Sequence, residues 1–295
     1  MDRSNRFALL AMFCAIMALE GVMETALADI TVDGNLLDWG VTPFSDWTPD
    51  LAPGADYVVG NWHNQSFPNG GETFDLEALF VAADENYLYI AIVGSMPETG
   101  AQDPYGRNVT YTPGDICLNL DVANEPGTVT GEYGYEYGVR TTGDPAQSDP
   151  DGANPGDRKG AVYYLPDWSL PHGQYGFPAN GPSTMTAGTY VGAGDLVYVD
   201  GDEAYYGAGG GLLEGSSATY IIETALPWGI FDDLMATDHK LFYYTMSCGN
   251  DTLKLCSELI PPKQVVPEPA TVVFLGTVSA LGMVARRRRT RSQAR

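Results

Sequence analysis

The chain has 295 residues, with 15 Lys+Arg against 38 Asp+Glu and a formal charge of −23 at pH 7. So strong an acidic excess repels nucleic acid and anionic lipid and attracts divalent cations, which excludes nucleic acid as a partner. With 35 Gly and 20 Pro and almost no helical periodicity, the composition also excludes a helical bundle and points to β structure.

Arg3 and Arg6 precede an uncharged run from Phe7 to Leu19, and Ala26-Leu27-Ala28 follows. This is the charged, apolar, small-residue order of a secretory signal peptide, and the apolar run is short for a membrane anchor. Residues 1–28 therefore read as a signal helix engaged by the secretion machinery and cleaved by signal peptidase after Ala28. The ectodomain then covers 29–262. Removing 8 of the 15 basic and 4 of the 38 acidic residues with the two terminal segments leaves 7 against 34 between Asp29 and Val266, a formal charge of −27.

Within the ectodomain the elements read as strands. Leu76 to Ala82 and Tyr87 to Val93 are apolar runs around Asp84-Glu85-Asn86, a hairpin pattern. Ile116 to Leu120 and Tyr133 to Val139 alternate. Leu196 to Val199 and Glu203 to Tyr206 flank Asp200-Gly201, a strong hairpin turn. Tyr220 to Leu226 and Leu241 to Ser247 complete the strands, and Pro227 to Leu234 predicts one short helix with Pro in its first turn. The sum is an all-β, antiparallel β-sandwich.

Several residues are candidates for binding. Asp144, Asp149, Asp151, Asn154 and Asp157 place hard oxygen ligands at close spacing with Gly152 for a tight turn, as a Ca²⁺ site requires. The twelfth position of an EF-hand built there is not acidic, so a solvated acidic loop is the competing reading. Trp62 and Trp168 lie among polar residues and are candidate sugar-stacking platforms, whereas Trp39 and Trp228 read as packing. In an oxidising compartment Cys117, Cys248 and Cys256 predict one disulfide, Cys248 to Cys256 across Gly249-Asn250-Asp251 or alternatively Cys117 to Cys248. No nucleophile elbow, phosphate loop or zinc-hydrolase motif occurs, and His63, His172 and His239 stand apart from any Ser or Cys nucleophile pattern, so the expectation is a protein that is not an enzyme.

The last thirty residues carry the most specific signal. Val266-Pro267-Glu268-Pro269 precedes an uncharged apolar segment, Ala270 to Ala285, and then Arg286, Arg287, Arg288 and Arg289. Sixteen residues of helix reach roughly 24 Å, short of the roughly 30 Å hydrocarbon core, so 270–285 reads as a marginal transmembrane helix extended by snorkelling arginines. The arginines place the C-terminus in the cytoplasm.

Motif, apolar helix and Arg cluster in that order resemble the PEP-CTERM sorting signal of Gram-negative bacteria that make exopolysaccharide. The resemblance assigns 263–295 to that signal, with Pro267, Glu268 and Pro269 read by an exosortase and the helix removed. It implies export, anchoring in the inner membrane before processing, and delivery to the cell surface or a biofilm matrix.

A second resemblance runs through the ectodomain. Ile30-Thr31-Val32-Asp33-Gly34-Asn35-Leu36-Leu37-Asp38-Trp39 resembles the opening strand of family 9 carbohydrate-binding modules and DOMON-like sandwiches. The stretches from Asp84 to Ile90, Gly114 to Asp121 and Ile222 to Trp228 agree in order, while Thr141 to Gly188 has no counterpart. The resemblance implies a jelly-roll-like sandwich with structural calcium and, in some members, glycan binding. Two functions follow as expectations: a non-catalytic module that binds exopolysaccharide or another glycan, or a purely structural acidic matrix protein bridged by calcium.

Overall fold

The computed structural model describes residues 30–41, 47–49, 55–60, 72–120, 132–143, 158–171, 181–201, 219–231 and 239–259. Thirteen strands occupy them: β1 (Asp56–Val59), β2 (Leu76–Ala83), β3 (Tyr87–Gly94), β4 (Ala101–Gln102), β5 (Thr110–Tyr111), β6 (Ile116–Asn119), β7 (Tyr137–Val139), β8 (Ala161–Ser169), β9 (Thr184–Ala193), β10 (Asp195–Asp200), β11 (Tyr220–Pro227), β12 (Lys240–Thr245) and β13 (Thr252–Ser257). The helical turns whose bounds are described, Glu72–Phe74, Glu132–Gly134 and Trp228–Ile230, are all of the 3-10 type.

All pairings are antiparallel. One sheet runs β1-β2-β3-β11-β10, a second runs β13-β12-β6-β7-β8-β9, and β4-β5 form a small hairpin. The main core fills the space between the two large sheets. Leu79, Val81, Ile90, Ile92 and Ile222 face Ile116, Leu118, Val139, Val162, Phe242 and Leu255 there.

Both sheets are also covered on their outer faces, which explains why β2 and β3 read as unbroken apolar runs rather than alternating ones. Ala78, Phe80, Ala82, Ala91 and Val93 turn outward and pack under Leu36, Trp39, Val41 and Trp47. On the far side of the six-stranded sheet, Cys117, Tyr163, Trp168, Met185 and Tyr243 form a third cluster with Tyr135. Gly138 of β7 is required beneath it, because a Cβ there would lie 2.3 Å from Met185 Sδ and 2.8 Å from Trp168 Cη2.

Several expectations change. The opening stretch from Ile30 to Trp39 is a chain of bends and turns rather than a strand. The strand expected from Tyr133 is confined to Tyr137–Val139, since Glu132–Gly134 makes a 3-10 turn with Tyr133 at φ 57°. Of the helix expected over Pro227 to Leu234, Pro227 closes β11 and Trp228–Ile230 forms a 3-10 turn, while 232–234 fall outside the described residues. Strand β10 pairs with β11, and its expected hairpin partner, Glu203 to Tyr206, lies outside the described residues. No described helix is long and apolar enough to cross a membrane, and the expected signal helix and 270–285 helix fall outside the described residues.

Candidate functional site

The motif stretches converge in the fold on carboxylates that bind backbone and indole N–H groups. Glu223 stands in the middle of β11, where a charged residue interrupts an apolar strand, and it is fully buried. Its Oε1 accepts a hydrogen bond from Trp39 Nε1 at 2.7 Å. Its Oε2 accepts bonds from the backbone N–H groups of Gly34 at 2.8 Å and Asp33 at 3.0 Å. The segment 31–41 is thereby pinned across the outer face of the five-stranded sheet. Gly34 is needed at this point: it sits at φ +82° and a Cβ would meet Val199 Cγ2 at 2.2 Å.

Burial pushes the Glu223 carboxyl up to about 7, against the three donors, which favour its ionised form. Asp38 is also raised, first by burial, although Thr31 N–H donates to its Oδ2 at 2.7 Å. Glu223 has no solvent access and its bonds go to the protein's own donors.

A second joint lies at the β2–β3 turn. Asp84 Oδ1 accepts from the N–H groups of Asn86 and Tyr87 at 2.7 Å each, and its backbone oxygen accepts from Trp228 Nε1 at 2.9 Å. A third is Asp115, whose carboxylate pairs with Arg140 Nη1 at 2.9 Å and accepts from Met185 N–H at 2.8 Å and Thr141 N–H at 3.2 Å. Burial raises Asp115, and Arg140 opposes that rise. A fourth is Asp251, which accepts from Leu76 N–H at 2.9 Å and Thr252 N–H at 2.7 Å. Burial, together with the neighbouring Asp75, raises its carboxyl.

No family model matches the chain, and no curated protein matches it either.

Trp168, expected as an exposed sugar platform, is instead 6% exposed, covered by its own sheet and packed against Met185 over Gly138. Every described tryptophan, Trp39, Trp47, Trp168 and Trp228, is buried. Trp62 lies outside the described residues, as do Asp144, Asp149, Asp151, Asn154 and Asp157 of the expected calcium loop. Among the described residues no cluster of three or more His, Cys, Asp or Glu is arranged to hold a metal. Pro267, Glu268, Pro269 and Arg286 to Arg289 also fall outside them.

Neither expected disulfide forms, and Cys117, Cys248 and Cys256 are free. The register gives the reason. In the β12–β13 hairpin Cys256 stands opposite Leu241, several residues beyond the turn that holds Cys248. Its side chain points to solvent while that of Cys248 enters the main core. Cys117 belongs to the outer cluster, on the other face of the sheet from Cys248.

Sequence reading passed over Glu223, Asp115 and Asp251 as sites. The signal for Glu223 was present, since an acid flanked by Ile221, Ile222, Ala225 and Leu226 must find buried donors.

Proposed function

We propose that this chain is an exported, exosortase-processed protein of the cell surface or extracellular matrix, and that its β-sandwich serves as a non-catalytic, acidic scaffold bridged by calcium. The observation that carries the reading is the ordered C-terminal series of Val266-Pro267-Glu268-Pro269, apolar segment and Arg286 to Arg289 behind an all-β domain. The burial of Trp39, Trp47, Trp168 and Trp228 supports the scaffold over a sugar platform. Changing Glu268 to Ala is expected to leave the protein in the inner membrane with its tail attached. Mass spectrometry of wild-type surface material that finds Arg286 to Arg289 still present overturns the proposal.

Glycan or exopolysaccharide binding is the second reading, favoured by Tyr105, which is 58% exposed and has the Arg107 guanidinium 5.7 Å from its ring centre. An aromatic ring held this way on the loop between β4 and β5 offers an apolar face to a sugar. Polysaccharide pull-down by the wild type that is lost in Tyr105→Ala or Trp62→Ala supports it. No retention on any polysaccharide removes it.

A further inference from the structure

The segment that Glu223 pins to the five-stranded sheet has one acceptor left over. Asp38 Oδ2 takes the Thr31 N–H at 2.7 Å, but Asp38 Oδ1 is shut off from solvent and has no hydrogen-bond partner. A buried carboxylate oxygen without a donor is costly. The charges around it are also of the wrong sign. Beyond burial, the charge acting on Asp38 is that of Asp33, and Asp38 adds to the rise that burial causes in Glu223. No described ion pair includes Asp38. The residues paired with Glu223 in β3 and β10, Ala91 and Val197, are uncharged. What the joint lacks is a cationic donor at Oδ1.

Position and reach name that donor. Ile30 and Val32 pack against the outer cluster of the five-stranded sheet, so the chain is seated as far back as residue 30. Cleavage after Ala28 turns the amide nitrogen of Asp29 into an α-ammonium, two residues before the Thr31 N–H already bound to Asp38. Two residues of chain span at most about 7 Å, which tethers the new ammonium within reach of Oδ1. An amide offers one neutral N–H, whereas an ammonium offers three donors and a charge, and charge-assisted bonds are roughly twice as strong. The Asp29 carboxylate is present before and after cleavage, so processing changes the nitrogen alone. A divalent cation is the weaker occupant, because among the described residues no cluster of three His, Cys, Asp or Glu is arranged to hold one.

We propose that Asp38 receives the α-ammonium released at Asp29 by signal-peptide removal, so that processing closes the last open bond of the joint between segment 31–41 and β11. The proposal rests on the export reading above. In the unprocessed chain Glu223 holds the segment while Asp38 is half satisfied; in the processed chain the ion pair adds a second hold close to the new terminus. Maturation then tightens the segment only after the chain has crossed the membrane.

The test uses the processed protein purified from the producing cells, and N-terminal sequencing comes first. A terminus other than Asp29 overturns the cleavage reading and the proposal with it. With Asp29 in place, the rate of α-amine acylation is followed against pH in the native protein, in the urea-unfolded protein and in Asp38→Asn. An α-amine ordinarily titrates near about 8. In the native wild type it is expected to titrate at least about one pH unit higher than in urea, which makes acylation at pH 7 about tenfold slower. Burial without the ion pair shifts the amine the other way, so the direction separates the pair from mere shielding. Asp38→Asn keeps an oxygen for the Thr31 N–H and leaves Asp33 and Glu223 in place, and it is expected to return the amine to its unfolded value. The comparison of native with unfolded wild type requires no variant to fold. An amine that titrates in the native protein at or below its value in urea, or one that titrates in Asp38→Asn as in wild type, overturns the pair while leaving the export reading intact.

Discussion

At the scale of single residues, Glu223 joins two stretches that lie 184 residues apart at the Trp39 contact. Changing Glu223 to Ala leaves the indole N–H of Trp39 and two backbone N–H groups without their acceptor, and a buried unsatisfied donor is expensive. The expected loss is about 2 to 3 kcal/mol in urea unfolding, with the midpoint falling and the slope unchanged. The pH dependence follows from the same carboxyl. A glutamate that ordinarily ionises at 4.5 is pushed up to about 7 by burial. Between those values the unfolded chain has lost the proton while the folded chain keeps it, so this group's contribution falls as pH rises from about 4.5 to about 7 and levels beyond. Asp251, raised in the same direction, adds to the trend. Urea midpoints at pH 5 and pH 8 check it: the midpoint should be higher at pH 5, and Glu223→Gln should narrow the difference.

At the scale of elements, the outer face of the six-stranded sheet behaves as a core. Trp168 stands opposite Met185 in the β8–β9 ladder. Trp168→Ala is expected to cost about 3 to 5 kcal/mol by leaving a cavity over Gly138. Loss of near-ultraviolet circular dichroism with an early thermal midpoint checks that outcome, and a variant as stable as wild type contradicts the packing. Strands buried on both faces were legible: the runs around Asp84-Glu85-Asn86 have their expected bounds to within a residue at each end. Strands β8 and β9 were not, because Gly188 and Gly192, Pro166 and a run of small polar residues hide the alternation. The stretch from Ile30 to Trp39 misled because its apolar residues are set by the turn that brings Leu36 and Trp39 onto the neighbouring sheet, not by a period of two. Exposure of Trp168 was misjudged for a related reason: its neighbours in sequence are polar, but its neighbour across the ladder is Met185.

For the whole molecule, charge dominates. A formal charge of −27 between Asp29 and Val266 opposes compaction, so any cation that binds only the folded state stabilises it. Millimolar Ca²⁺ is expected to raise the melting temperature by a few degrees, and Mg²⁺ by less, because Mg²⁺ demands stricter octahedral geometry. Sodium chloride at matched ionic strength separates screening from site binding. If salt reproduces the whole shift, or if Asp149→Asn with Asp151→Asn leaves it unchanged, the Asp144 to Asp157 segment is a solvated acidic loop.

The position of β13 has a mechanical consequence. It is the last described strand, it lies at the edge of its sheet, and its end at Ser257 stands opposite Lys240 of β12. When the chain is held from its C-terminal side, load enters at Ser257 and acts across the ladder rather than along it. The hydrogen bonds of β12 and β13 then open one at a time instead of sharing the load. Ser257 Oγ donates to Asp56 Oδ2 at 2.5 Å, tying the loaded end to β1 of the opposite sheet. That bond works as a clasp. Under tension the domain yields first where this clasp opens, and β13 peels away, drawing Leu253 and Leu255 out of the main core while the Glu223 joint on the other sheet remains closed.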